Sequence, residues 1–502
     1  MPADDAFTAL RAHDHRRPPH RRGAGPLMLL ALIMLLPAVA LFGLWRYADA
    51  RDDEPQALDL IADVAPETPA EPLRTGLMSW RRVPTLVAQD ANLDQFRDDA
   101  SRFADTLGNR SCVTVSLNGT PIASHAADRA VIPASSMKLL VGAVALEVLG
   151  GDHTFTTTLV GTVENGVVTG DLTLVGGGDP LLTSAAFPIE NDVEPVFNET
   201  SLDALVDQLM ASGVTSVSGN VVGDGSRYDD ELYAPDWAPA DRGVEAGPVD
   251  ALLVNDARVT SQGLRSENPS LGAAQELVAV MRSRGITIGG EAVPGTAPDG
   301  AAELASVDSA ALSGVVAEML TTSDNNTAES LLKELGYSEG RPGTREAGLA
   351  VVRRQLDAWG ADLSGTNLTD ASGLSATNLV PCSVIHTVLA RSGHADDLAR
   401  GLAVAGESGT LSDVFVGTPV AGRLAAKTGT LANAPFDADP PAAKGLAGYL
   451  PVRGGGRIEF TLLLNGPMIN DQANYRPVWD DMVTALASYP AGPRPRELGP
   501  RR

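Results

Sequence analysis

Lysine is scarce in this 502-residue chain: Lys138, Lys333, Lys427 and Lys444 are all there are, against 34 arginines. An arginine keeps its proton inside a protein, whereas a buried lysine can give its proton up, so each lysine is a candidate for chemistry. Cysteine is scarcer still. Cys112 and Cys382 cannot form a disulfide framework or a Cys-type zinc site. In an oxidising compartment the two can bridge, or remain two separate buried thiols. The seven histidines are scattered, three of them before residue 25, with no His-x-x-x-His pair, so no metal and no cofactor is indicated. Positive charge is also short. A net charge of −25 supplies no basic face for phosphates and excludes a nucleic-acid partner. No internal repeat occurs, and no serine sits in the Gly-x-Ser-x-Gly elbow of the Ser-His-Asp hydrolases.

One long uncharged run is present. Pro26 to Trp45 spans twenty residues without a charge, enough to cross a bilayer as a helix. Arg11, Arg16, Arg17, Arg21 and Arg22 precede it, and acids dominate the segment beyond Trp45, which places residues 1–25 in the cytoplasm and exports the rest. The run is longer than a signal-peptide core, which favours an uncleaved anchor; cleavage at Ala48-Asp49-Ala50 is the alternative. Residues 46–85 begin with many acids and prolines and read as a solvated stalk.

A globular region then opens with CVTVSL (112–117), a strand running into an Asn118-Gly119 turn. ASSMKLLVGAVALEVLGG is apolar nearly all round and closes on Gly150-Gly151, the pattern of a helix buried mid-domain. From 151 to 300 β-branched runs, glycines and an Asn165-Gly166 turn suggest a separate α/β or β-rich unit. Leu312, Val315, Val316, Met319 and Leu320 share one helix face. The polar hexapeptide Thr321 to Asn326 then reads as a loop before a second helix, on which Glu329 and Lys333 have i,i+4 spacing. RLAAKTGTL, LAGYLPV and IEFTLLLN read as antiparallel strands, with Lys444 in a loop before the second. Residues 490–502 read as a disordered tail.

Ser135-x-x-Lys138 places a hydroxyl and an amine on one face at the head of the buried helix. A desolvated lysine has a lowered pKa and can take the serine's proton, while the helix N-terminus favours negative charge. Ser323-Asp324-Asn325 lies between helices and Lys427-Thr428-Gly429-Thr430 lies on a strand. Each motif alone is weak; the three in this order, using two of only four lysines, are not.

This ordered triple resembles the penicillin-binding proteins and class A β-lactamases. The 188 residues from Ser135 to Ser323, together with LVGGGDP (174–180), Asp370-Ala371-Ser372-Gly373-Leu374-Ser375 and Gly409-Thr410-Leu411, resemble the type-4 penicillin-binding proteins. These are D-alanyl-D-alanine carboxypeptidases/endopeptidases with a large insertion. The resemblance runs from about residue 90 to 485. It implies an α+β fold: a penicillin-binding/β-lactamase-like domain of antiparallel sheet and helices at 86–150 and 301–489, with the insertion at 151–300. It implies that Ser135 forms the acyl-enzyme, Lys138 takes its proton and Ser323 passes a proton to the leaving amine. Asn325 would hold the peptide and Lys138, Lys427 and Thr428 the terminal carboxylate, and the N–H groups of Ser135 and Thr430 the oxyanion. Gly429 and Asp324 complete the cleft. Asp179 resembles an acidic position that meets an amine on the peptide; a plain turn Asp before Pro180 is the alternative. The implied partners are peptidoglycan stem peptides, β-lactam antibiotics as covalent inhibitors, and the membrane through the one helix. A β-lactamase, or a non-hydrolytic wall-binding or antibiotic-sensing module, is the competing reading. The connection from Ala432 to Lys444 is longer than the family's usual short turn.

Overall fold

The computed structural model describes residues 83–187, 196–340, 342–391, 395–432, 440–452 and 455–498. The span expected at 26–45, the cytoplasmic tail and nearly all of the stalk lie outside them. Among the described residues no helix is long and apolar enough to cross a membrane.

Helix α1 (Val83–Ala104) buries Phe96, Ala100, Phe103 and Ala104, one stripe at helical spacing, and leads into β1 (Cys112–Leu117). Asn118 and Gly119 both take left-handed φ (49° and 74°), which turns the chain tightly into β2 (Thr120–His125). Helix α2 (Met137–Val148) comes next. It is buried from Met137 through Leu146, so a sequence apolar on every side has become the axis of the largest core.

The inserted unit is α/β. Strands β3 (Thr156–Val160), β4 (Leu172–Val175), β5 (Val221–Asp224), β6 (Ala292–Pro294) and β7 (Glu303–Asp308) form one mixed sheet in the order β6-β5-β4-β3-β7. The β4–β5 and β5–β6 pairs are parallel. Helix α3 (Leu202–Ala211) lies in the chain between the first pair and helix α4 (Pro269–Ser283) between the second. Both helices pack their apolar faces on the sheet, Leu205, Leu209 and Leu277 against Leu159, Leu172 and Val221. The sheet runs through Asp308, so the unit extends past the edge expected at 300.

Helices α5 (Leu312–Thr322), α6 (Asn325–Tyr337), α7 (Arg345–Ala358) and α8 (Cys382–Ala390) are among those that return the chain to the main core. Strands β8 (Ala403–Val404), β9 (Ala425–Leu431), β10 (Ala442–Pro451) and β11 (Arg457–Gly466) then complete an antiparallel sheet, ordered β8-β9-β10-β11-β1-β2. Helix α9 (Gln472–Ala487) covers it together with α1, as Trp479 and Met482 share a core with Phe96 and Phe460.

Cys112 and Cys382 are joined by a disulfide across a sequence separation of 270 residues, tying β1 to α8. Closing so long a loop is worth about 2–5 kcal/mol of stability. The reading of residues from 490 on as a disordered tail is corrected for the part described. Gly492 N–H donates to the Asn92 side chain at 2.5 Å, Asn92 Nδ2 donates to the Pro493 carbonyl at 3.3 Å, and Pro495–Leu498 forms a short helical turn.

Candidate active site

Ser135 lies in a single tight turn, Ala134–Ser136, at the head of α2. Ala134 is left-handed at φ 48°, an unusual state for a residue with a Cβ. Three segments close on this turn. The first is the turn's own helix: Lys138 Nζ donates to Ser135 Oγ at 3.1 Å. The second is the break between α5 and α6 with the first residue after it, where Asn325 Oδ1 accepts from Lys138 Nζ at 2.7 Å. The third is β9, whose Gly429 lies so near that a Cβ there would fall 2.8 Å from the Pro133 carbonyl. A fourth segment, 370–375, marked in the sequence only by its resemblance, also reaches the turn. Its Ser372 carbonyl accepts from Lys138 Nζ at 2.6 Å. Gly373 (φ 82°) packs where a Cβ would fall 1.9 Å from the Ala134 carbonyl, so only glycine fits.

Lys138 is fully buried, and its three direct partners are a hydroxyl, an amide oxygen and a peptide oxygen. None carries a full charge. Burial pushes its amine down to about 8, against the pull of the Asp324, Asp370 and Glu329 carboxylates nearby. About one molecule in ten is then neutral at pH 7, enough to work as a base.

The break between α5 and α6 is two residues long, Ser323 and Asp324, not the hexapeptide. Ser323 is half-buried at left-handed φ 67°, and Asp324 caps α6 by accepting from the N–H groups of Asn326 (3.1 Å) and Thr327 (2.9 Å). The local capping preference of Asp thus stops one helix and starts the next where Asn325 must face Lys138.

Lys427 is fully buried on β9 and donates to the Thr428 carbonyl at 2.9 Å. Its amine is pushed well below the ordinary ammonium range, first by burial and then by Lys138 and Lys444. Thr428 Oγ1 donates to Thr410 Oγ1 at 2.9 Å, and Thr430 is exposed at the end of the motif. Lys444 is on β10, not in a loop: it pairs across the sheet with Thr430 and donates to Thr430 Oγ1 at 2.7 Å.

Asp179 sits apart from these contacts. Its side chain is 2% exposed, Oδ1 accepts from the Leu181 N–H at 2.9 Å, and burial pushes its carboxyl up to about 6. The Glu329–Lys333 helix pair is also corrected. Lys333 bonds Asp229 at 2.7 Å, while Glu329 accepts from Arg345 Nε at 3.1 Å and from the N–H groups of Ala371 and Ser372.

The inserted unit reaches this site with residues that no sequence motif singles out. The Glu245 carbonyl accepts from Asn325 Nδ2 at 2.7 Å. Asn326 accepts from the Gly247 N–H at 2.9 Å and donates to Asp256, which Arg265 also holds. Asn255, Asp256 and Ala257 are left-handed in succession (φ 54°, 56° and 60°), a strained run that presents Asp256 to Asn326. Trp237 Nε1 donates to Asp370 Oδ2 at 2.8 Å.

A serine whose hydroxyl touches a buried, neutralisable amine, on a turn walled by a strand and a helix break, has the geometry that acyl transfer requires. The sequence profile of the D-Ala-D-Ala carboxypeptidase 3 (S13) family matches residues 90–262 and 248–489. The chain belongs to this family of serine D-Ala-D-Ala carboxypeptidases. It is 32% identical over 346 residues to carboxypeptidase DacB of Mycolicibacterium smegmatis, covering 66% of this chain and 71% of that protein. It is 28% identical over 468 residues to the D-alanyl-D-alanine carboxypeptidase of an Actinomadura species, covering 76% and 82%. The fold of this chain is similar to that in the crystal structure of penicillin binding protein 4 from Haemophilus influenzae, with a TM-score of 0.63 at 21% identity over 77% of this chain and 99% of that one.

Proposed function

We propose that this S13 peptidase removes the terminal D-alanine from peptidoglycan stem peptides through an acyl-enzyme on Ser135. The neutral Lys138 amine takes the Ser135 proton as Oγ attacks the carbonyl carbon of the D-Ala-D-Ala bond. The oxyanion forms between the N–H groups of Ser135 and Thr430, a preorganised pair worth about 3 kcal/mol of barrier. The C–N bond then breaks, and the departing amine receives through Ser323 the proton that Lys138 took. Asn325 holds the peptide, and Lys427 with Thr428 binds its carboxylate. Water attacks the ester and returns Ser135 to its free form. β-Lactams acylate the same oxygen and leave slowly. Segment 26–45 anchors the protein, with the peptidase outside the membrane.

The 3.1 Å contact between Lys138 Nζ and Ser135 Oγ carries this reading, because the same amine touches no carboxylate directly. A peptide ending in D-Ala-D-Ala should release free D-alanine, and fluorescent penicillin should label the protein covalently. Ser135→Ala should abolish both. Labelling that survives in that variant, or labelling without D-alanine release, contradicts the proposal.

A further inference from the structure

Asn325 and Glu329 lie one turn apart on α6, so their side chains leave the same face of the helix. Asn325 touches Lys138 Nζ directly at 2.7 Å. Glu329, fully buried, points instead at the loop that comes after α7. Its Oε1 accepts from the N–H groups of Ala371 (2.9 Å) and Ser372 (2.8 Å), and the carbonyl of that same Ser372 accepts from Lys138 Nζ at 2.6 Å. One residue of backbone therefore separates the Glu329 carboxylate from the base, and the loop's Gly373 is wedged against the Ser135 turn.

We propose that Glu329 is a positioning residue for the acylation base: it clamps the 371–372 backbone so that the Ser372 carbonyl, with Asn325, fixes Lys138 Nζ against Ser135 Oγ. A carboxylate buried only for packing would not spend one oxygen on two successive N–H groups of the loop that holds the catalytic amine. Its other oxygen is held by Arg345, which also pairs with Glu231, so the charge is compensated from the side away from the loop.

The groups that face this centre come from every surrounding element. Lys138 is met by Asp324 from the helix break, Glu329 from α6, Asp370 from the loop and Lys427 from β9. Glu329 is met by Arg345 from α7 and by Asp370. Glu329 shares this loop with Asp370, whose Oδ1 accepts from the Gly373 N–H at 2.8 Å, but Glu329 holds the N–H groups of both Ala371 and Ser372. It therefore acts on Lys138 in two separable ways: by geometry through the loop, and by charge, which favours the ammonium.

The inference rests on Lys138 being the base, and the test separates the two. Acylation by a β-lactam is followed from pH 6 to 10 in the wild type, Glu329→Gln and Glu329→Asp, each checked by thermal melting. Gln keeps an oxygen for the two N–H groups but removes the charge and faces Arg345 with an amide N–H. Its acid limb should move about half a unit to lower pH, with a plateau about tenfold lower. Asp keeps the charge and loses reach, so its limb stays in place while the plateau falls. If Gln does not fold, Asp decides alone: a lowered plateau with an unmoved limb supports the proposal, and a wild-type plateau overturns it. Folded variants with wild-type limb and plateau overturn it too. A wild type that is not acylated at all sinks the reading of the site instead.

Discussion

Of the three lysines sealed from solvent, Lys138 beside Ser135 and Lys333 two turns along α6 from Asn325 differ in what their amines touch. Lys333 donates to the Asp229 carboxylate at 2.7 Å and to the carbonyls of Asp229 and Glu231. Lys138 has a hydroxyl, an amide and a carbonyl, and its carboxylates stand one layer back. Burial lowers both amines, and Asp229 opposes that at Lys333 in direct contact. A buried lysine with a touching carboxylate is a structural ion pair that ties the inserted unit to α6. One held by neutral oxygens, with a serine hydroxyl among them, can shed its proton to act on that hydroxyl.

The strongest way to break this contrast is to remove each amine. Lys138→Arg should match Lys138→Met in cutting the acylation rate, by about 10²–10⁴-fold, because arginine cannot serve as a base. Lys333→Met should do the reverse: a melting curve should register a loss of about 3 kcal/mol, while the folded fraction is acylated at close to the wild-type rate. Equal rate losses at both positions would erase the distinction.

Asp179 sharpens the contrast from the acidic side. Its folded pKa is raised from 3.8 to about 6, so the folded state holds the proton that the unfolded state has lost, and stability falls as pH rises from about 4 to 6. Asp179→Asn should therefore stabilise the protein at pH 7 by about 1–2 kcal/mol and flatten that pH dependence. Peptide KM should stay unchanged if Asp179 is a turn residue, and should rise if it meets an amine of the substrate.

The smallest effect is expected at Lys444. Removing its bond to Thr430 in Lys444→Met should raise peptide KM about threefold to tenfold, with little change in kcat. A kcat loss with KM intact would place Lys444 in the chemistry itself.

The four lysines also show what the sequence can disclose. Lys138 and Lys427 are legible because Ser-x-x-Lys and Lys-Thr-Gly are local patterns with a chemical reason, and an apolar helix and a buried strand form around them. The Asn118-Gly119 and Asn165-Gly166 turns are legible for the same reason, since left-handed φ is a local demand. Lys333 misleads because its partner Asp229 lies 104 residues away, while the i,i+4 acid Glu329 turns to residues 345, 371 and 372. Lys444 misleads because Pro440-Pro441 and two alanines hide the start of a strand, one set by pairing with β9 and β11. The inserted unit's parallel pairs, and its left-handed run at Asn255–Ala257, depend on contacts between distant segments and leave no short signature.

The most direct test of the central claim is the pH dependence of wild-type acylation by a β-lactam. If neutral Lys138 activates Ser135, the second-order rate constant rises about tenfold per pH unit at low pH and levels off above about 8, and the limb disappears in Lys138→Met. A rate that stays flat from pH 6 to 9, or a limb that persists in that variant, contradicts the account.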